Sequence, residues 1–183
     1  MTRRFHQLSI GFAALLLAAA PGAAQAVDLL SVPVSSADSL PVADAGFDWN
    51  GFYAGVFGVG QSSAVGGSQL GLGVDLGVNA RLEFVLVGGE VAIQGLAGGT
   101  GATAYIEGLG KLGLAVTEDV VAYATVGLGT SLAGPAESDV LLGGGVAFAV
   151  SNDLTVDTRY LHGFALSGAN PKDRVTVGAN FHF

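Results

Sequence analysis

The sequence predicts an all-β protein, an eight-stranded antiparallel up-and-down transmembrane β-barrel. Residues 175–183 alternate strictly between apolar and polar side chains and end on an aromatic residue, Phe183, as transmembrane strands do. Half of the chain is hydrophobic (50%) and the mean hydropathy is +0.57. Beyond residue 26, however, no apolar run is long enough for a spanning helix. In a bilayer, such apolar residues can be placed on the outer face of a closed barrel.

Three regions are predicted along the chain. Residues 1–26 have the form of a secretory signal peptide, with Arg3 and Arg4 before an apolar stretch and cleavage expected after Ala26. Residues 27–48 contain two prolines, four aspartates and no basic residue, which predicts a flexible acidic periplasmic tail. Residues 49–183 form the predicted outer-membrane barrel domain.

Period-two alternation after Trp49 predicts the strands in order. The second strand is the clearest, because Leu or Val occupies every even position from Leu70 to Val78. The third and fourth set Val, Ile and Leu against Glu90, Glu107 and Lys111. The sixth has an apolar face of Val, Leu and Phe, and the seventh has Asp157 opposite its aromatic side chains. The predicted strands are 51–60, 69–79, 82–95, 103–116, 120–131, 139–150, 154–166 and 175–183.

The predicted connections alternate in length. Tight turns are expected at 79–81, 117–119 and 151–153, and longer loops rich in Gly, Ser or Pro at 61–68, 96–102, 132–138 and 167–173. Outer-membrane barrels combine short periplasmic turns with longer outer loops. An even number of strands then places both termini in the periplasm.

Six charged residues are predicted to face the lumen, and their placement indicates an interior charge network. Since unpaired burial of charge is costly, the expected result is a polar plug that closes the lumen. A narrow gated pore and charges hydrated by trapped water are the alternatives. Lys172 is expected in an outer loop. Lys111 and Arg159 are therefore expected to be the only basic residues in the interior. The predicted network is Asp75, Glu90, Glu107, Lys111, Asp157 and Arg159.

Several function classes are disfavoured by composition. Without the signal peptide, the chain has five basic and fifteen acidic residues. This excess of negative charge argues against nucleic-acid binding. The G-x-G-x-x-G match at 108–113 lies inside a predicted strand, whereas a dinucleotide site needs a strand ending and a helix starting there. There is no cysteine, and no ligand cluster indicates a metal or other cofactor.

A lipid-modifying enzyme is the remaining catalytic hypothesis, because some eight-stranded barrels deacylate lipid A. Such a site needs His and Ser on one face of a strand. Here His162 and Ser167 are five residues apart and fall on opposite faces. His182 is predicted to face the lumen. We therefore predict a protein that is not an enzyme.

The chain resembles a known family in its opening motif. Trp49-Asn-Gly-Phe-Tyr-Ala-Gly55 is similar to the W-x-G-F-Y-x-G opening of small alphaproteobacterial outer-membrane proteins, porin-family surface antigens of the OmpA/opacity-protein superfamily. Tyr123-Ala-Thr-Val-Gly127 resembles that family's Y-A-T-G-G strand. The chain departs from the family at Gly108, Gly110 and Lys111, where arginines are usual, and at Arg159-Tyr160, where Glu-Tyr is usual.

The resemblance implies a bacterial outer-membrane protein that contributes to envelope integrity. Whether it also serves as a surface antigen is left undecided by the resemblance. A narrow channel for small solutes is the alternative function. Implied partners are outer-membrane lipid and lipopolysaccharide, and the barrel-insertion machinery that would read Val177, Phe181 and Phe183 as an assembly signal. The oligomeric state is left open.

Overall fold

A computed structural model describes residues 46–99, 101–133, 137–166 and 170–183. The predicted signal peptide, its cleavage after Ala26 and the tail up to residue 45 lie outside these residues. No helix in the described part of the chain is long and apolar enough to cross a membrane.

Eight antiparallel strands close into one barrel, and each strand pairs with its neighbours in sequence, the last pairing with the first. The predicted up-and-down barrel is confirmed. The strands are β1 Gly51–Ser63, β2 Gly67–Leu82, β3 Val85–Gly98, β4 Gly101–Thr117, β5 Val120–Ser131, β6 Ser138–Ala149, β7 Leu154–Ala165 and β8 Lys172–His182.

Alternation of side chains separates a polar interior from an apolar exterior, and β8 shows it most clearly. Its even positions, from Lys172 to His182, are all buried. On the other face Val175, Val177 and Phe181 are more than half exposed, and Ala179 is half-buried. The exterior of the other strands is likewise Val, Leu, Ile and Phe. An exposed apolar surface of this extent is that of a protein in contact with lipid.

Several strand boundaries differ from the predicted ones. The turn expected at 79–81 lies at Glu83 and Phe84, because β2 keeps its alternation to Leu82, which pairs with Val85. Glu83 has a positive φ of 57°, which is the geometry that a two-residue hairpin turn requires. The name short-turn end is used below for the barrel end that carries residues 83–84, 118–119 and 150–153.

At the opposite end, called the loop end, two of the four predicted long loops are wrong. Strands β1 and β2 are joined by residues 64–66, and β3 ends at Gly98 while β4 begins at Gly101. The glycine and serine residues that were predicted to form these loops belong to the strands instead, because a small residue can lie on either face of a strand. The connections at 132–137 and 166–171 remain the longer ones.

Interior glycines make room for tyrosine rings from the neighbouring strand. A side chain at Gly77 would overlap the ring of Tyr53, its partner across β1 and β2. Gly145 stands in the same relation to Tyr123, and a side chain at Gly129 would overlap the ring of Tyr105 on the neighbouring strand β4. An eight-stranded barrel has an interior that side chains just fill, so these glycines admit large rings without widening the barrel.

Candidate functional site

The candidate site is the polar interior of the barrel. All six predicted network residues lie on inward positions of β2, β3, β4 and β7, and five of them are buried, with 2–9% of their surface exposed. The side chain of the sixth, Lys111, is 9% exposed. The structure nevertheless divides the six between different partners.

Glu90 is the centre of the first group, which we call the mid-barrel cluster: Glu90, Lys111, Arg159 and Tyr53. The Lys111 Nζ atom donates to Glu90 Oε2, and Arg159 Nη1 donates to Glu90 Oε1 at 2.6 Å. Tyr53 Oη also donates to Glu90 Oε2, at 2.7 Å, and accepts from Lys111 Nζ at 2.7 Å. One carboxylate therefore holds two cations, with its remaining acceptor capacity used by a hydroxyl.

Asp157 and Asp75 make no ion pair in the described structure. Asp157 accepts from Tyr123 Oη at 2.8 Å and from Asn180 Nδ2 at 3.2 Å. Asp75 Oδ1 has no hydrogen-bond partner among the described residues. It lies beside Gly55, where a side chain would overlap both it and the Asn180 Oδ1 atom. The expectation that all six charges belong to one ion-pair network is therefore wrong for these two.

Glu107 belongs to a second group, which we call the loop-end cluster: Glu107, Arg174, Lys172, Asp139 and Glu137. Arg174 Nη1 donates to Glu107. Lys172 Nζ lies 2.8 Å from Asp139 Oδ2 and 2.7 Å from Glu137 Oε2. Charged hydrogen bonds of this kind are stronger than neutral ones, so these ties join β4, β6 and β8 across the interior.

The placement of Lys172 in an outer loop is wrong, and so is the expectation that Lys111 and Arg159 are the only interior bases. Lys172 is the first residue of β8, points inward and is 6% exposed; Arg174 is 2% exposed. The signal was present in the sequence. Polar residues at even positions continue from His182 back to Lys172, two steps beyond the predicted start of the strand.

Three tyrosines are a further feature that sequence reasoning missed. Each donates its hydroxyl to one interior carboxylate: Tyr53 to Glu90 at 2.7 Å, Tyr105 to Asp139 at 2.7 Å and Tyr123 to Asp157 at 2.8 Å. Lys111 Nζ also lies 5.0 Å from the centre of the Tyr53 ring and 5.2 Å from that of Tyr123, within range of cation–π attraction. The tyrosines therefore donate hydrogen bonds to the interior carboxylates, and their rings pack against the charged side chains of both clusters.

Aromatic residues from the segment before β1 fill the short-turn end. Phe47 is 6% and Trp49 2% exposed, and they pack with Leu86 and Val121. Trp49 Nε1 donates to the backbone oxygen of Glu118 at 2.9 Å. Phe47, which lies in the predicted tail, therefore packs against the inside of the barrel, four residues before β1 begins at Gly51.

His182, predicted to face the lumen, does so beneath this aromatic group. Its ring stacks on Tyr53 with centroids 5.4 Å apart and meets the Phe47 ring edge-on at 4.9 Å. The Nε2 atom lies 3.1 Å from Thr155 Oγ1. The neighbouring cavity has a volume of about 30 Å³ and is lined by Asn79, Asn180 and His182 among others, which is room for one or two water molecules.

At the rim, Asp48 accepts hydrogen bonds from the backbone and side-chain amides of Asn50, at 3.0 and 2.8 Å. These bonds lower the pKa of the Asp48 carboxyl below its ordinary value. The Asp48 carboxylate is therefore ionised at neutral pH.

The other predicted residues have simpler places. Val177, Phe181 and Phe183 face outward and are 57, 54 and 71% exposed. Gly108–Gly113 lies inside β4, as predicted, with no helix beginning there. His162 faces outward, and Ser167 lies outside the described residues. No group of three or more His, Cys, Asp or Glu side chains within the described ranges could hold a metal ion.

The chain shares its fold with solved structures of other β-barrels. No protein-family model matches the chain, and neither does any curated protein sequence. The attachment invasion locus protein Ail of Yersinia pestis is similar at 14% identity and a TM-score of 0.56, over 73% of this chain and 99% of Ail. Neisserial surface protein A is similar at 16% identity and a TM-score of 0.52, over 72% and 97% of the two chains.

A de novo designed transmembrane β-barrel also matches, at 14% identity and a TM-score of 0.50, over 72% of this chain and 95% of the design. At these identities the likeness shows a shared fold. The chain is a transmembrane-type eight-stranded β-barrel.

Proposed function

We propose that this protein is a non-enzymatic β-barrel of the bacterial outer membrane that contributes to envelope integrity, with its lumen closed by the two interior clusters. The observation that carries the proposal is the bonding of four interior cations, each to at least one carboxylate: Lys111, Arg159, Lys172 and Arg174. Two of these ion pairs, Arg159–Glu90 and Arg174–Glu107, join strands on opposite sides of the barrel, β3 with β7 and β4 with β8, so they span the lumen.

Location in the outer membrane is supported by the signal-peptide pattern, the apolar exterior and the fold of the neighbours. We further propose that both termini are periplasmic and that outer-membrane lipid, lipopolysaccharide and the barrel-insertion machinery are partners. The W-x-G-F-Y-x-G opening supports origin in the porin-family surface antigens of alphaproteobacteria. The short connections at 64–66 and beyond Gly98 favour a structural role over binding through loops.

A narrow channel is the second candidate. It is favoured by Glu90, which holds Lys111 and Arg159 at once. Exchange of one of these bonds could open a path without unfolding a strand. The cavity of about 30 Å³ at the short-turn end would lie on such a path.

Planar-bilayer recording of the refolded protein tests the two candidates. The plug predicts no conductance steps for the natural sequence, and steps for Glu90→Gln, because a neutral amide no longer holds both cations. Glu118→Gln, at a carboxylate whose side chain is 66% exposed, is the matched control and should stay silent. Regular steps from the unchanged protein would replace the plug with the channel. Lipid A mass profiles with and without the gene test the enzyme hypothesis, and the proposal predicts identical profiles.

A further inference from the structure

The outward face of the barrel carries one group of ionisable side chains. Along the eight strands, all of whose residues are described, outward positions are aliphatic, Phe, Gly, Ala, Ser or Thr except at three places, which carry ionisable side chains. Those three are neighbours: Tyr160 and His162 on β7 and Asp173 on β8. We call them the wall cluster.

The wall cluster is tied by hydrogen bonds. His162 and Asp173 are direct cross-strand partners, and His162 Nδ1 lies 2.8 Å from Asp173 Oδ1. Tyr160 Oη donates to the same oxygen at 2.5 Å. The His162 ring also meets Phe164 edge-on, with centroids 4.5 Å apart. The side chains of Asp173 and His162 are 55% and 31% exposed, so the group is open to the surroundings of the barrel.

Nearby cations do not serve Asp173. Lys172 and Arg174 flank it in sequence but point to the opposite face of β8. Both are held by interior carboxylates, Lys172 by Asp139 and Glu137 and Arg174 by Glu107. The Asp173 carboxylate therefore faces the membrane with a phenol hydroxyl and an imidazole nitrogen as its described partners.

The free atoms of the wall cluster are acceptors. Both described hydrogen bonds to the Asp173 carboxylate use Oδ1, and Oδ2 has no hydrogen-bond partner among the described residues. When a neutral His162 donates from Nδ1, its Nε2 atom is an acceptor as well. Two acceptors beside the faces of Tyr160 and Phe164 suit a group that has donors, positive charge and affinity for aromatic rings.

From this geometry we infer that the wall cluster binds the primary ammonium group of a lipid head group. An ammonium has three donors and no acceptor, and so matches the open atoms. A lipid phosphate would meet the Asp173 carboxylate, which repels it. The lipid is the source because the site is on the wall: His162 and Asp173 are the last pair but one of β7 and β8 before the loop end, with exposed Val175 and Phe164 beside them. Head groups lie at this level of a barrel.

Lipid retention tests the inference. The protein is refolded into vesicles of equal parts phosphatidylethanolamine and phosphatidylcholine, extracted in mild detergent and analysed for bound lipid by native mass spectrometry. The two lipids share a phosphate, but only the first has N–H donors. We expect an enrichment of phosphatidylethanolamine of about threefold, the range of a partly exposed charge pair. Asp173→Asn should reduce the ratio to near one, while Glu118→Gln at the short-turn end should keep it.

Two results would overturn the inference. One is equal retention of both lipids by a correctly folded barrel; the other is enrichment of phosphatidylglycerol when that lipid is offered, since this would indicate an anion site. The inference depends on the membrane location in the proposed function but not on whether the lumen is closed. Failure to insert into any vesicle would contradict both proposals, whereas insertion without lipid preference contradicts the inference alone.

Discussion

At the level of single residues, the barrel keeps its positive charge inside. Beyond the signal-peptide region there are five basic residues, and the side chains of four of them are enclosed in the lumen. The fifth, Arg81, pairs with Glu118 at the short-turn end at 3.0 Å. Burial of a charge in a region that excludes water is costly, and the cost is offset only when partners are held in good geometry. The acidic interior side chains are therefore needed to keep these cations in place.

Arg159 and Arg81 offer a matched test of this requirement. Arg159→Ala removes a side chain that is 2% exposed and leaves Glu90 with one cation. Loss of one partner of a buried pair costs about 3–5 kcal/mol, less where water enters. Arg81→Ala removes a pair whose partner is 66% exposed, and about 0–1 kcal/mol is expected. Urea unfolding of both variants in the same vesicles measures the difference. Equal midpoints would show that the mid-barrel cluster is hydrated and not packed.

The faces of the charged residues could be predicted from the sequence, but their partners could not. Period two fixes which side of a strand Glu90 or Glu107 points to, because this depends on the strand alone. Glu90 meets Arg159 across the lumen from β3 to β7, and Glu107 meets Arg174 from β4 to β8. Such contacts depend on the stagger of all the strands between them, which no local pattern encodes.

At the level of strands, the pairing of β1 with β2 depends on a glycine opposite a tyrosine. Gly77→Ala should destabilise the barrel by about 1–3 kcal/mol, the range for overpacking, since its methyl group would overlap the Tyr53 ring. Gly108→Ala is the control: it faces outward, and no atom lies within 4 Å of its added carbon. There the change should be neutral or stabilise by up to about 1 kcal/mol. Thermal unfolding compares the two, and similar losses would contradict a packing role for the tyrosine.

Strand β8 carries the predicted assembly signal at its end. Phe183→Asp should lower the amount of protein inserted in the outer membrane without preventing secretion, because the aromatic residue that ends the outward row is lost. Phe84→Asp changes an aromatic residue of similar exposure, 61% against 71%, in the turn before β3. It should insert nearly as well as the unchanged protein. Membrane fractionation followed by immunoblotting gives both levels. Normal insertion of Phe183→Asp would refute the signal.

Strand boundaries were harder to predict than strand faces, and β2 shows why. Asn79-Ala80-Arg81 has the composition of a turn, yet Asn79 and Arg81 simply occupy inward positions while Leu82 continues the apolar row. A polar interior makes inward strand residues resemble turn residues. The same ambiguity placed Lys172 in a loop.

At the level of the whole molecule, the orientation proposed for the barrel can be tested with inserted tags. Val65 lies between β1 and β2 at the loop end, and Asn152 lies between β6 and β7 at the short-turn end. A protease-cleavable tag after Val65 should be cut on intact cells, while one after Asn152 should be cut only after the outer membrane is opened. The reverse pattern would place the termini outside.

The number of strands and the closed, up-and-down order were predictable, because alternation recurs along the chain and neighbouring strands pair in turn. The packing of aromatic side chains into the short-turn end could not be predicted. Phe47 precedes the alternating region, and nothing in its local sequence shows that it contacts Trp49 and lies 4.9 Å from the ring of His182 at the far end of the chain. That contact exists only when the first and last strands meet.

Trp49 gives this barrel a built-in optical probe of ring closure. It is the one tryptophan of the chain, and its indole touches the turn after β4 and lies 6.2 Å from His182 in β8. Strands can form and enter the bilayer before these parts meet, but the indole leaves water for its final site only when the ring shuts. During refolding, the blue shift of tryptophan emission should therefore lag behind the β-sheet signal in circular dichroism. Simultaneous signals would mean that closure and strand formation are a single event.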